Sequence, residues 1–148
     1  MAEHLWFTTA RLTIHLAQQQ NAGGISVIEH HMARDFAVPL HVHEEEDENF
    51  YVLEGEVRFR IGDEVRTLGT GEAMSVAGGS AHSFRVVSGE ARFLTITTGR
   101  FEEMVRSLGR VAETSGLPPQ HEPTPEQMDM LVQACSAHGI TFVGPPVD

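Results

Sequence analysis

The sequence predicts an all-β fold, a sandwich or jelly-roll barrel, carrying a short α-helical tail. Three observations predict it. Between residues 11 and 100, short segments rich in Val, Ile, Phe and Thr alternate with Gly-containing turns. From Phe101 onward, apolar residues recur at helical spacing instead. The 148 residues, 41% of them hydrophobic, suffice for one core and leave little room for a second. One domain is therefore expected over 1–148, with the barrel at about 11–100 and the tail at about 101–148.

The elements follow in order. Residues 11–17 form the first expected strand, and 25–32 follow the Asn-Ala-Gly-Gly turn at 21–24. Residues 50–53 and 57–61 flank Glu54-Gly55-Glu56 as a hairpin. Gly62-Asp63 turns the chain into 65–68, and 73–76, 82–87 and 92–97 complete about eight strands. Phe50-Tyr51-Val52-Leu53 is apolar at both parities, so cover is expected on both faces: another strand, a helix or a second subunit. Phe101, Met104, Val105 and Leu108 mark one face of a short helix. After a linker at 115–124, Thr124-Pro125-Glu126-Gln127 reads as a capping box with Pro at the first helical position. Met128, Leu131, Val132 and Cys135 make a second helical stripe, ended by Gly139. The tail reads as two helices packed on the barrel.

Charge and composition exclude several classes. The formal charge is −11, and a surface that acidic repels phosphate backbones and anionic lipids, so neither nucleic acid nor membrane is an expected partner. No segment reaches the roughly 18 apolar residues of a membrane span. The first residues lack the basic region and apolar core of a signal peptide. The single cysteine, Cys135, has no internal partner, which fits a reducing cytoplasm.

Nine histidines are many for this length. His41-Val42-His43 places two imidazoles on one side of a strand, about 6.5–7 Å apart at Cα, close enough to converge on one ion. Alone the pair is weak, since nine histidines produce His-x-His by chance with odds of about one in two. Glu48 stands at the end of the acidic run 44–48, in which 44–47 read as a solvated turn. His82 heads a strand whose same-side residues, Phe84 and Val86, are apolar. Adjacent His30 and His31 face opposite sides and make no ligand pair. His4, His15, His121 and His138 read as surface or packing residues, and Cys135 reads as core. Arg58, Arg60 and Arg85 fall at the outward parity.

The spacing carries more than the letters. His41-x-His43-x4-Glu48-x6-Gly55 resembles the first cupin motif, and Gly71-x7-Gly79-x2-His82 resembles the second. The motifs span roughly 35–86, and the strand pattern extends the resemblance over most of 11–100. The sequence departs from the family pattern at Asp35 and Ala77, where Gly and Pro are usual, and at Val86, often Asn. None of these is a ligand position. The resemblance implies a cupin jelly-roll β-barrel holding one divalent transition metal ion (Fe, Mn, Ni, Co, Cu or Zn) through His41, His43, Glu48 and His82.

The layout also resembles the small single-domain cupins of the quercetin 2,3-dioxygenase-like group. Carrying features are Pro39-Leu-His-Val-His43, Asp47-Glu-Asn-Phe-Tyr-Val-Leu-Glu-Gly55, Phe101-Glu-Glu and Gly139-Ile-Thr-Phe-Val-Gly-Pro-Pro146. This implies ring-opening of a flavonol with O2 and release of carbon monoxide, with Glu48 taking a proton from the substrate. Phe50, Val52, Met74 and Phe84 share the ligands' side and are expected to line a pocket for a small aromatic substrate. A cupin isomerase or lyase without O2 chemistry, or a binding module without catalysis, uses the same metal site. Exposed barrel edges and the two-sided apolar strand lead to the expectation of a homodimer.

Overall fold

The computed structural model describes residues 2–148. Twelve strands build two sheets. In chain order they are β1 (Glu3–Phe7), β2 (Ala10–Leu16), β3 (Ser26–Ala33), β4 (Ala37–His43), β5 (Glu48–Glu54), β6 (Val57–Ile61), β7 (Glu64–Leu68), β8 (Ala73–Val76), β9 (His82–Val86), β10 (Glu90–Thr97), β11 (Arg110–Val111) and β12 (Ile140–Gly144). The larger sheet runs β11-β1-β2-β3-β10-β5-β8 and the smaller β12-β4-β9-β6-β7. Helix α1 (Phe101–Leu108) follows β10, and α2 (Pro125–Ala137) precedes β12. No helix among the described residues is long and apolar enough to cross a membrane. The fold is the jelly-roll barrel with a helical C-terminal extension.

Alternation builds the barrel. In β10 the residues Ala91, Phe93, Thr95 and Thr97 point inward and are buried, while their neighbours face out. Phe50, Phe59, Phe84 and Phe93 meet inside, with ring centroids 4.9 Å apart for Phe50–Phe59 and 5.1 Å for Phe84–Phe93. Such tilted pairs add about 0.5–1.5 kcal/mol each beyond burial. Arg58, Arg60 and Arg85 do face out. The Arg58 and Arg85 guanidiniums donate to the carbonyls of Asp148 and Val147, holding the chain end on the outside of the smaller sheet.

The helices end where their caps stand. Thr124 Oγ1 accepts from the Gln127 amide and the Gln127 side chain accepts from the Thr124 amide, so the expected capping box forms. Gly139, at φ +73°, turns the chain out of α2. Asp35 occupies a left-handed backbone at φ +68°. That explains the glycine usual at this point of the motif: Asp tolerates the conformation and Gly adopts it freely.

Three expectations need correction, and a fourth is narrowed to cover by a second subunit. The tail is more than two helices, because β11 pairs with β1 and β12 pairs with β4. The barrel also begins before residue 11, since Glu3–Phe7 joins the larger sheet through a tight turn into β2. Strand Phe50–Leu53 is not covered on both faces within this chain: Tyr51 and Leu53 stand exposed on the outer side of the larger sheet. In α2, which packs on β12 and α1, only Cys135 of the expected stripe is fully buried, and Val132 is exposed.

Candidate metal centre

The smaller sheet brings the histidines together. His41 and His43 lie on the inward side of β4, and His82, the first residue of β9, is the cross-strand partner of His41. Glu48 opens β5 in the other sheet and reaches across. The second-motif glycines set this geometry. Gly79, at φ +85°, donates its amide to the His43 carbonyl at 2.8 Å, which ties the turn before β9 to the end of β4.

All four side chains are buried, and one donor atom from each lies within 4.8 Å of the other three. Glu48 Oε2 stands 2.9 Å from Nε2 of both His43 and His82. Every second ring nitrogen is engaged. His41 Nδ1 donates to the Pro39 carbonyl at 2.8 Å, His82 Nδ1 to the Ser80 carbonyl at 3.0 Å, and His43 Nδ1 to Glu46 Oε1 at 3.2 Å. Fixing Nδ1–H turns each Nε2 toward the centre, where those of His43 and His82 lie within hydrogen-bond distance of Glu48 Oε2.

Electrostatics follow from this packing. Burial pushes the His41 imidazole down to about 4, reinforced by the neighbouring His82. His43 moves the other way. Burial opposes its charge, but the Glu48 and Glu46 carboxylates outweigh burial and raise it to about 9. Burial favours a neutral Glu48, yet His43 and His82 hold it well below the usual carboxylate range. Three imidazole nitrogens and an ionised carboxylate oxygen form a donor set that suits a cation. Metal–nitrogen and metal–oxygen bonds run about 2.0–2.2 Å, and donors within 4.8 Å of one another approach that spacing. The residues present therefore suit a divalent transition metal ion.

Glu46 is the residue that sequence reading missed, since it lay within the run taken as a solvated turn. It is buried, and Gly99, at φ +77°, packs against it so tightly that a Cβ there would lie 2.5 Å from the Glu46 carboxyl carbon. The missing signal was available in principle: a ligand histidine needs a partner at Nδ1, and Glu46 follows His43 by three residues. Outside the acidic loop open two clefts of about 370 and 260 Å³, both bordered by Glu45, Glu46 and Thr98.

Phe50, Val52, Met74 and Phe84 are all inward, but they fill the closed core beneath the ligands instead of lining either cleft. Phe50 stands 6.3 Å from His82 between ring centroids, and two further aromatic neighbours of the ligands come from the tail. Phe101 of α1 stands 6.0 Å from His43 between ring centroids, and Phe142 of β12 stands 6.1 Å from His41. His30 also faces inward, stacked on Phe101 at 5.9 Å and 3.4 Å from Thr95 Oγ1. His31 faces outward, as the strand period requires.

Comparison with known proteins bears on the fold. Residues 28–97 match the Cupin_2 family, a cupin domain. TT1209 from Thermus thermophilus is 33% identical over 50% of this chain and 71% of its own, with a TM-score of 0.48. A predicted oxalate decarboxylase from Thermotoga maritima is 19% identical over 66% of this chain and 91% of its own, with a TM-score of 0.58. The Cupin_2 domain of an XRE family transcriptional regulator from Enterobacter cloacae is 20% identical over 61% of this chain and 96% of its own, with a TM-score of 0.55. The curated proteins contain no match. Strand order, matched residues and ligand spacing lead to one conclusion: the fold is that of a cupin, residues 28–97 are similar to the Cupin_2 domain, and His41, His43, Glu48 and His82 form a candidate metal centre.

Proposed function

We propose that this cupin is a metal-dependent dioxygenase of the quercetin 2,3-dioxygenase-like kind, opening a flavonol or related enol-bearing aromatic ring with O2. One observation carries the reading. Three histidines, each turning Nε2 to a common point, and one carboxylate converge beside the rings of Phe101 and Phe142, an environment suited to a flat apolar substrate. His41, His43 and His82 hold the ion, and Pro39, Glu46 and Ser80 fix their rings. The ion supplies Lewis-acid stabilisation of an oxyanion and, where redox-active, a route for electrons to O2. Glu48 accepts the proton of the substrate hydroxyl. Phe101 and Phe142 exclude water from the reacting face.

The test is oxygen uptake by metal-loaded protein with quercetin as substrate. One O2 consumed and one carbon monoxide released per flavonol is the expected result, with loss of turnover in Glu48→Gln. Metal-loaded protein that consumes no O2 sinks the proposal. Turnover under strict anaerobiosis assigns the site to an isomerase or lyase. Quercetin binding without turnover, unchanged in Glu48→Gln, assigns it to a binding module. Pairing of two copies through the exposed Tyr51–Leu53 face belongs to the same reading, and the mass in solution tests it.

A further inference from the structure

The outer face of the larger sheet carries a polar arrangement that the metal centre does not use. Strand pairing sets Arg110, Trp6, Arg11, His31 and Arg92 side by side across β11, β1, β2, β3 and β10. The chain has only ten basic residues against 21 acidic ones, yet three arginines and a histidine share this one row.

Three members of the row are engaged. The Arg110 guanidinium lies 5.4 Å from the centre of the Trp6 ring. Arg92 pairs with Glu29 at 3.0 Å and Glu54 at 3.2 Å. Arg11 and His31 are not. Arg11 Nε is buried with no hydrogen-bond partner. His31 is 8% exposed, and both of its ring nitrogens are buried without a partner. The nearest acid, Glu90 Oε2, lies 3.5 Å from His31 Nε2 without hydrogen-bond geometry.

An imidazole always carries at least one N–H, and a guanidinium Nε always does. Two directly opposed residues thus bury at least two donors with nothing to accept them, a condition that folded proteins rarely leave unmet. The acceptor they lack is anionic, because one donor belongs to a fixed positive charge. Cross-strand neighbours stand about 4.5–5.5 Å apart at Cβ, near enough for one small group to bridge both. Glu29, Glu54 and Glu90 border the row and oppose a polyanion.

We propose that Arg11 and His31 form a binding site for a small oxyanion of single charge, a carboxylate or a monoanionic phosphate group. It accepts hydrogen bonds from Arg11 Nε and a His31 ring nitrogen. The site lies on the outer face of the sheet and owes nothing to the metal.

Trp6, the only tryptophan, is the cross-strand neighbour of Arg11 and reports on the site. The full chain is titrated with inorganic phosphate and, separately, with acetate, at an ionic strength held constant with chloride. A saturable change in Trp6 emission is expected, and its affinity falls at least tenfold in Arg11→Gln and in His31→Gln. Arg66→Gln, an exposed arginine of the other sheet, leaves it unchanged. Saturation by phosphate alone or acetate alone identifies the group preferred. A response that does not saturate, that chloride reproduces, or that survives in Arg11→Gln overturns the proposal. A response that tracks doubling of the mass in solution also overturns it, in favour of an acid from a second copy. Metal content, measured in parallel, is unaffected, so failure here is separate from failure of the proposed reaction.

Discussion

His30 and His31 are neighbours in sequence and lie in different worlds, and the same division separates the two polar regions of this molecule. Inside the barrel, His41, His43 and His82 each spend Nδ1 on an acceptor and turn Nε2 to a common point. Outside, His31 has neither nitrogen engaged. The inner arrangement is preorganised: two backbone carbonyls and one buried carboxylate decide which nitrogen is free before any ligand arrives. The outer one lacks such orientation and is defined by missing acceptors. Identical side chains thus become metal ligands or surface donors according to what holds the far side of the ring.

The contrast is broken most severely by His82→Ala. It deletes one of four donors and should abolish stoichiometric metal binding, read by elemental analysis. His31→Gln should leave metal content at the wild-type level. Equal metal content in wild type and His82→Ala would remove the inner site altogether.

Glu46→Gln tests whether orientation at Nδ1 matters. It retains an acceptor and loses the charge, and metal affinity should fall by about 10–100-fold with the fold intact. Gly99→Ala should move affinity in the same direction, because its Cβ would displace the Glu46 carboxyl group from His43.

Acidity gives the next effect. Without metal, the folded chain holds a proton on His43 up to about 9, against an ordinary value of 6.5. The folded value is raised, so this contribution to stability is complete below about pH 6.5 and is lost as pH rises through about 9. The Tm of metal-stripped protein should therefore fall across that window. Metal affinity should rise across it, because binding requires His43 without its Nε2 proton. A metal affinity that is flat over this range would show that His43 does not hold the ion.

The smallest effect concerns the scaffold alone. Asp35→Gly relieves a left-handed residue and should stabilise the fold by about 1 kcal/mol, measured by denaturant unfolding, with metal content unchanged.

Much of the barrel was legible because period-2 alternation is a local signal. Val57–Ile61 and Ala73–Val76 come out at the expected bounds, and α1 spans Phe101–Leu108 as its stripe indicates. Asp35 was legible only as a departure from a motif, and its backbone angle explains it. Strands β1, β11 and β12 were not legible. Each is short, and each is strand-like through the edge it pairs with, a property of the sheet. The expected pocket residues show a related limit of side-chain period. Inward parity selects Phe50, Val52, Met74 and Phe84 correctly, but parity does not distinguish the packed floor of a barrel from its mouth.

The sequence by itself determined the all-β class, the inward direction of His41, His43, Glu48 and His82, and the helix in the tail with its capping box. Those follow from side-chain period and local hydrogen bonding, which act over a few residues. Only the tertiary structure decided what lies around them. Glu46 becomes the partner of His43, Phe101 and Phe142 from the tail become its aromatic cover, and Arg11 comes to face His31 across two strands. Such meetings depend on strand register and chain return, and no local signal encodes a contact between residues that the fold alone brings side by side.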